Sequence, residues 1–172
     1  MEQNLSFSSV LEKSDNKLWG CHFVVPAWAL AAMSEGNEER RVVCTLNGKA
    51  TYQCAMLPFG NGIYVITVNK KLQTQLKLAI GAKVEVTLRK DDSEYGLPMP
   101  EELAELLRQD DEGDRLLHAL TPGKIRTMLY LAGQPKNSGT RLRRAVAIVE
   151  HLKENGGKID FKKLNEKLKS PL

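Results

Sequence analysis

The apolar positions of this chain change their period part way along, and that change constrains the fold more than any other feature. Up to about Lys90, β-branched, aromatic and other apolar residues fall in short runs bounded by turn residues: SFSSVLEK, KLWGCHFVV, RRVVCTLN, ATYQCAML, GIYVITVN and AKVEVTLRK. Runs of that length and composition predict strands. From Pro100 onward apolar residues return at every third or fourth position, the spacing of one face of a helix. Two short helical stretches, PAWALAAMS and KLQTQLKLAIG, interrupt the strands. Six short strands with so little helix predict a small barrel. The expected fold is therefore α+β: a six-stranded β-barrel over residues 1–92, an acidic helical connector over 93–120, and a basic helical module over 121–172.

One hairpin has its register written into its sequence. Asn47-Gly48 suggests a two-residue turn, but that pairing would set the apolar residues of the two strands on opposite faces. A three-residue loop, with Gly48 left-handed, puts Val42, Cys44 and Leu46 on one face with Ala50, Tyr52, Cys54 and Met56. A slip of one residue flips a whole strand, so the apolar pattern decides for the longer loop. Cys44 and Cys54 are then diagonal neighbours, roughly 7–8 Å apart, which is too far for an easy disulfide.

In the helical part, Pro100 opens a helix with Glu101 and Glu102 in its first turn, where the helix dipole favours carboxylates. Leu103, Leu106 and Leu107 supply its apolar face. The acidic run Asp110, Asp111, Glu112 and Asp114 follows, then a short face of Leu116, Leu117 and Leu120. Thr121-Pro122 caps a helix with the stripe Ile125, Met128, Leu129 and Ala132, ended by Gly133 and Pro135. The next helix is predicted from about Thr140 to Asn155, with Leu142, Ala145, Val146, Val149 and Leu152 buried. Asp160 caps a last helix carrying Phe161, Leu164 and Leu168.

Charge divides the chain more sharply than the net +4 suggests. Residues 1–117 hold 13 Lys+Arg and 17 Asp+Glu, a balance of −4; residues 118–172 hold 12 and 4, a balance of +8. No apolar run is long enough to span a membrane, and MEQNLSFSSVLEK lacks the layout of a secretory signal. Three cysteines without a CxxC fit a reducing compartment. A cytoplasmic protein with free thiols is expected.

At this point two families come into view. CTLNG, LPFGNGIYVITVNKKL and IGAKVEVTLRKD resemble a bacterial domain of unknown function that forms an AbrB-like, double-split β-barrel. YGLPMPEEL, followed by LTPGKIRTMLYLAG and KNSGTRLRRAVAIVEHL, is similar to the bacteriocin-protection, YdeI/OmpD-associated family. The resemblances run from about Leu5 to Leu168. They imply a barrel followed by helices and a link to bacteriocin resistance or envelope stress, and they bring no catalytic residues with them. Gly139 departs from the pattern, which often has an acidic residue there; a local counter-charge for Arg141 is thereby lost.

No catalytic or metal-binding constellation is expected. His22, His118 and His151 lie in no HExxH or paired spacing. Cys21 and His22 are strand neighbours that point to opposite faces. Gly60-Asn61-Gly62 sits between two strands, so it predicts a turn and not a phosphate loop. No cofactor motif occurs. Trp19 and Trp28 are read as core or rim, with Trp28 kept as the mark of a barrel pocket.

The arginines are the remaining feature. With Thr140 as cap, Arg141, Arg143 and Arg144 fall in or beside the first turn, against the dipole. They call for an anion, and two sources compete. One is internal: the acidic segment Glu101 to Asp114. The other is external: phosphate or another anionic ligand, with Lys124, Arg126 and Lys136 extending the patch. The expectation is a non-enzymatic stress- or defence-type binding protein. Nucleic-acid binding through the basic helices is the first alternative. A small-molecule binder or enzyme using the barrel cleft is the second.

Overall fold

The computed structural model describes residues 3–15 and 20–169. The chain divides into two compact units, Met1–Asp92 and Ser93–Leu172.

The first unit holds strands β1 (Leu5–Val10), β2 (Glu12–Lys13), β3 (Cys21–Val25), β4 (Arg41–Leu46), β5 (Ala50–Ala55), β6 (Leu57–Gly60), β7 (Ile63–Val68) and β8 (Lys83–Lys90), with helices α1 (Ala27–Ser34) and α2 (Lys70–Leu76). They form two antiparallel sheets of four, ordered β1-β8-β4-β5 and β2-β3-β7-β6. Six strands in one closed barrel are therefore not what forms. Two of the sequence runs bend and count twice. The first bends at Leu11, whose N–H and carbonyl bond Ala82 and Gly81 outside the ladders. The second bends at Met56, whose N–H bonds the Arg40 carbonyl. At each bend an edge strand of one sheet passes into an edge strand of the other, and the side chain at the bend turns inward: Leu11 and Met56 are both buried. Among the described residues no ladder joins the two sheets. Phe23, Met33, Leu46, Ile66 and Leu88 complete the core.

The β4–β5 hairpin has the three-residue loop that its apolar pattern demands: Leu46 pairs with Ala50, Cys44 with Tyr52 and Val42 with Cys54. Gly48 is left-handed at φ 64°, and so is Asn47 at 52°. Asparagine tolerates that region because its short amide finds local partners. Here Asn47 Oδ1 accepts from the Glu85 N–H at 2.9 Å, which ties the turn to β8.

The second unit contains α3 (Glu101–Gln109), α4 (Asp111–His118), α5 (Pro122–Gly133), α6 (Ser138–Glu154) and α7 (Phe161–Lys169). Asp110, Thr121, Asn137 and Asp160 each accept a hydrogen bond from an N–H of the helix that follows, satisfying donors that a helix start leaves open. Helix α6 packs against α3, α4, α5 and α7. The core between them holds Leu103, Leu117, Met128, Leu129, Ile148, Leu152 and Leu164. Leu103 and Leu117 are fully buried, so the acidic segment contributes to the same core as the basic helices.

Two details of α6 differ from the sequence reading. Its cap is Asn137, not Thr140, so Arg141, Arg143 and Arg144 are its fourth, sixth and seventh residues. Asparagine caps as well as threonine, and the dipole penalty fades beyond the first turn. Its buried stripe is Ala145, Ile148, Val149 and Leu152, with His151, whereas Leu142 is 46% exposed. Arg141 and Arg144 thus occupy the first positions of that stripe. Phe161 on α7 is likewise exposed, while Leu164 is fully buried.

Candidate functional site

The site forms where the start of α3, the end of α5 and the start of α6 meet. Leu97-Pro98-Met99-Pro100 leads into α3 outside any helix or strand, and Pro100 holds φ −59° and ψ 135° just before the first turn. A proline fixes that geometry and suits a helix start. Pro100 leans on Gly133: a Cβ at residue 133 would come within 3.1 Å of the Pro100 ring. Behind this contact lies a cavity of about 480 Å³. Leu97, Pro98, Met99, Pro100, Leu129 and Tyr130 make it largely apolar, and Glu101, Glu102, Gln134 and Arg141 are its polar side chains.

Arg141 is held on several sides. Its Nε donates to Glu102 Oε1 at 2.9 Å, and its Nη1 donates to the carbonyls of Pro135 and Lys136 at 3.0 and 2.8 Å. Among the described residues Nη2 makes no hydrogen bond. Glu102 Oε1 also accepts from the Ser138 hydroxyl. Its own backbone N–H, then Ser138 and then Arg141, hold the Glu102 carboxyl below the usual range. Glu102 therefore stays ionised, and its Oε2 is buried without a partner.

On the other side of α3 lies a wider groove of about 840 Å³, which shares Glu101 and Glu102 with the cavity. Ala104, Glu105, Leu106 and Arg108 from α3 line it, together with Ser138 and Leu142 from α6. Arg108 is hydrogen-bonded to Glu105.

The six cationic residues picked out in the sequence do not converge. Arg144 Nη1 donates to the Leu131 carbonyl at 2.9 Å and to Gln134 Oε1 at 3.3 Å. It therefore joins Arg141 at the carboxyl end of α5, where unpaired carbonyls and the negative end of the dipole favour cations. Lys136 is exposed in the α5–α6 connection. Arg143 is exposed and bonds Thr140 Oγ1. Lys124 and Arg126 sit near the start of α5, roughly 8–10 Å along its axis from Leu131 at 1.5 Å per residue. Among the described residues, Arg141 alone of the three arginines forms an ion pair.

In the strand unit, Trp28 is 55% exposed and sets its ring edge-on against Phe7. Trp19 lies outside the described residues. All three cysteines are free. Hydrogen bonding to Cys44, then burial, pushes the Cys54 thiol up, and burial pushes the Tyr52 hydroxyl up. A thiol kept protonated is a poor nucleophile. Among the described residues no three His, Cys, Asp or Glu gather as a metal site requires.

One polar cluster in this unit gives no signal in the sequence. Ser14 Oγ lies 2.6 Å from His22 Nδ1, with both residues buried, and Glu12 Oε2 lies 3.3 Å from His22 Nε2 without hydrogen-bond alignment. Strand pairing of β2 with β3 assembles it, and Glu12 stands opposite His22. The order hydroxyl, imidazole, carboxylate is that of a nucleophile relay. The Ser14 N–H, however, donates to the Gly20 carbonyl and is not free to hold an oxyanion. The cluster braces two strands.

Comparison with known families divides the chain in the same two parts. Residues 7–88 match the model of a domain of unknown function, DUF1905. Residues 97–155 match the family described as bacteriocin-protection, YdeI or OmpD-associated. No curated protein matches the chain. No helix among the described residues is long and apolar enough to cross a membrane.

Proposed function

We propose that this bacteriocin-protection-type chain acts by binding, and that the cavity beside α3 and α5 is its ligand site. The observation that carries this reading is Arg141: a guanidinium fixed by a carboxylate and two carbonyls lines an apolar cavity and leaves Nη2 unbonded. Apolar walls with a few fixed polar groups are the usual make-up of a small-molecule site. The ligand has an apolar body and an accepting oxygen for Nη2. Glu102 argues for binding over proton transfer, because a general acid or base works best with a pKa near the working pH, and this carboxyl is held low.

The test uses a neutral, environment-sensitive naphthyl ketone dye. Saturable, blue-shifted binding at one site is expected. Arg141→Gln should weaken it about tenfold or more, through loss of a charged hydrogen bond, and Tyr130→Ala should weaken it less. Melting curves establish that both variants fold. Equal binding by the wild type and both folded variants would overturn the reading.

The second reading is a nucleic-acid backbone as ligand, in line with the resemblance of the strand unit to AbrB-like barrels. It is favoured by Arg143 and Arg144, which form no ion pair among the described residues, and by exposed Lys124 and Lys136. Duplex binding that weakens steeply with salt would support it. The free thiols fit a cytoplasmic location.

A further inference from the structure

We propose that the ligand is an extended, cationic peptide segment that crosses the start of α3 and puts an apolar side chain into the hollow on either side. This rests on the cavity being a binding site and names its ligand. The two hollows share Glu101 and Glu102, so they adjoin. Each offers an apolar side chain to solvent: Tyr130 is 57% exposed on one side, and Leu142 is 46% exposed on the other. Leu106 adds to the apolar floor of the second hollow.

Charge selects the partner. Three carboxylates line the two hollows, Glu101, Glu102 and Glu105, against Arg108 and Arg141. Both arginines are already paired, with Glu105 and Glu102. Glu101 is exposed, makes no ion pair among the described residues, and lies on the shared rim. It is the seat for a lysine or arginine of the ligand. The segment beyond residue 117 is strongly basic, so a cation finds its attraction at this rim and not along the neighbouring helices.

Peptide backbone suits the remaining donor, because Arg141 Nη2 can take a main-chain carbonyl. A helix is about 10 Å across, and extended chain advances about 3.3 Å per residue. Three to four residues therefore separate the two apolar anchors, with the basic residue between them.

The experiment uses the full chain and a capped five-residue peptide with leucine at both ends and lysine at the centre. The peptide should bind and displace the ketone dye. Replacing the lysine by glutamate should weaken the peptide several-fold, as loss of an exposed charge pair does. The variant Leu142→Ser changes an exposed side chain that lines only the second hollow. It should bind the dye as the wild type does and bind the peptide several-fold more weakly, from one lost apolar contact. Dye binding without peptide binding, or equal affinity for the lysine and glutamate peptides, would overturn the peptide and leave the cavity standing. Absence of dye binding as well would overturn both.

Discussion

The two units of this chain are specified by different means. In the strand unit, parity does the work. Val42, Cys44 and Leu46 face inward together or not at all, and the ladder carries that choice to the neighbouring strands. In the helical unit one element is the hub. Helix α6 is tied to α3 by Arg141 and Glu102, to the cap of α4 by Lys153 and Asp110, and to the cap of α7 by His151 and Asp160. Lys167 of α7 returns the tie to Glu150 and Glu154. A sheet built on period two resists change collectively. A bundle latched onto one helix concentrates its sensitivity there.

The largest expected effect comes from the hub. Ile148 is fully buried on α6, and Ile148→Ala should cost about 2–5 kcal/mol. Calorimetry should show the transition of the helical unit falling while that of the strand unit stays. Leu88→Ala should do the reverse. If both transitions move together in either variant, the contrast between the units is wrong.

Next is the contact of α4 with α6. A Cβ on Gly113 would stand 2.7 Å from Val149 Cγ1. Gly113→Ala, harmless on an open helix, should here destabilise by about 1–3 kcal/mol through overpacking. A variant as stable as the wild type would show that α6 can shift without loss.

A smaller effect belongs to the hairpin. Gly48 has φ 64° and no atom within 4 Å of an added Cβ, so Gly48→Ala meets only backbone strain, about 1 kcal/mol. Denaturant melts should show that cost with an unchanged slope. A changed slope would mean that the register itself had moved.

The smallest effect is a drift with acid, confined to the helical unit. Burial pushes the His151 pKa below its ordinary value, against the opposing pull of Asp160 and Glu154. The unfolded chain takes up that proton near pH 6.5, and the native fold resists it because His151 Nε2 accepts from the Asp160 N–H. Stability should therefore be full above about pH 6.5, fall as pH drops toward the lowered folded value, and level off below it. Glu102, also held low, adds a second decline at more acid pH. His151→Gln should remove the first decline and keep the second. Its persistence in that variant would assign the drift elsewhere.

Sequence carried the hairpin because period-two patterning is local: seven residues within fifteen positions settle the register. It carried the phase of α6 less well. Leucine at 142 looks like core, yet it is exposed, and Arg141 and Arg144 take the first positions of the stripe with their guanidiniums bonded to the carbonyls of Pro135, Lys136 and Leu131. The cavity was not legible at all. Its walls come from residues 97–102, 129–134 and 141, and no local pattern announces that three separate stretches enclose a space. The counter-charge for Arg141 could be found only as far as the acidic segment; the choice of Glu102 depends on how α3 lies against α6. Trp28 drew attention as an aromatic near a supposed cleft, but it packs at the surface.

The closeness of Gly133 to Pro100 bears on how relatives could diverge. The gap there is set by the absence of a single methyl group, on a helix that already ends at that residue. An alanine at 133 would push Pro100, part of the cavity wall, outward and so reshape the chamber. Position 133 is thus a size gauge: substitutions there would change the volume of the chamber while Arg141 and Glu102 stayed the same.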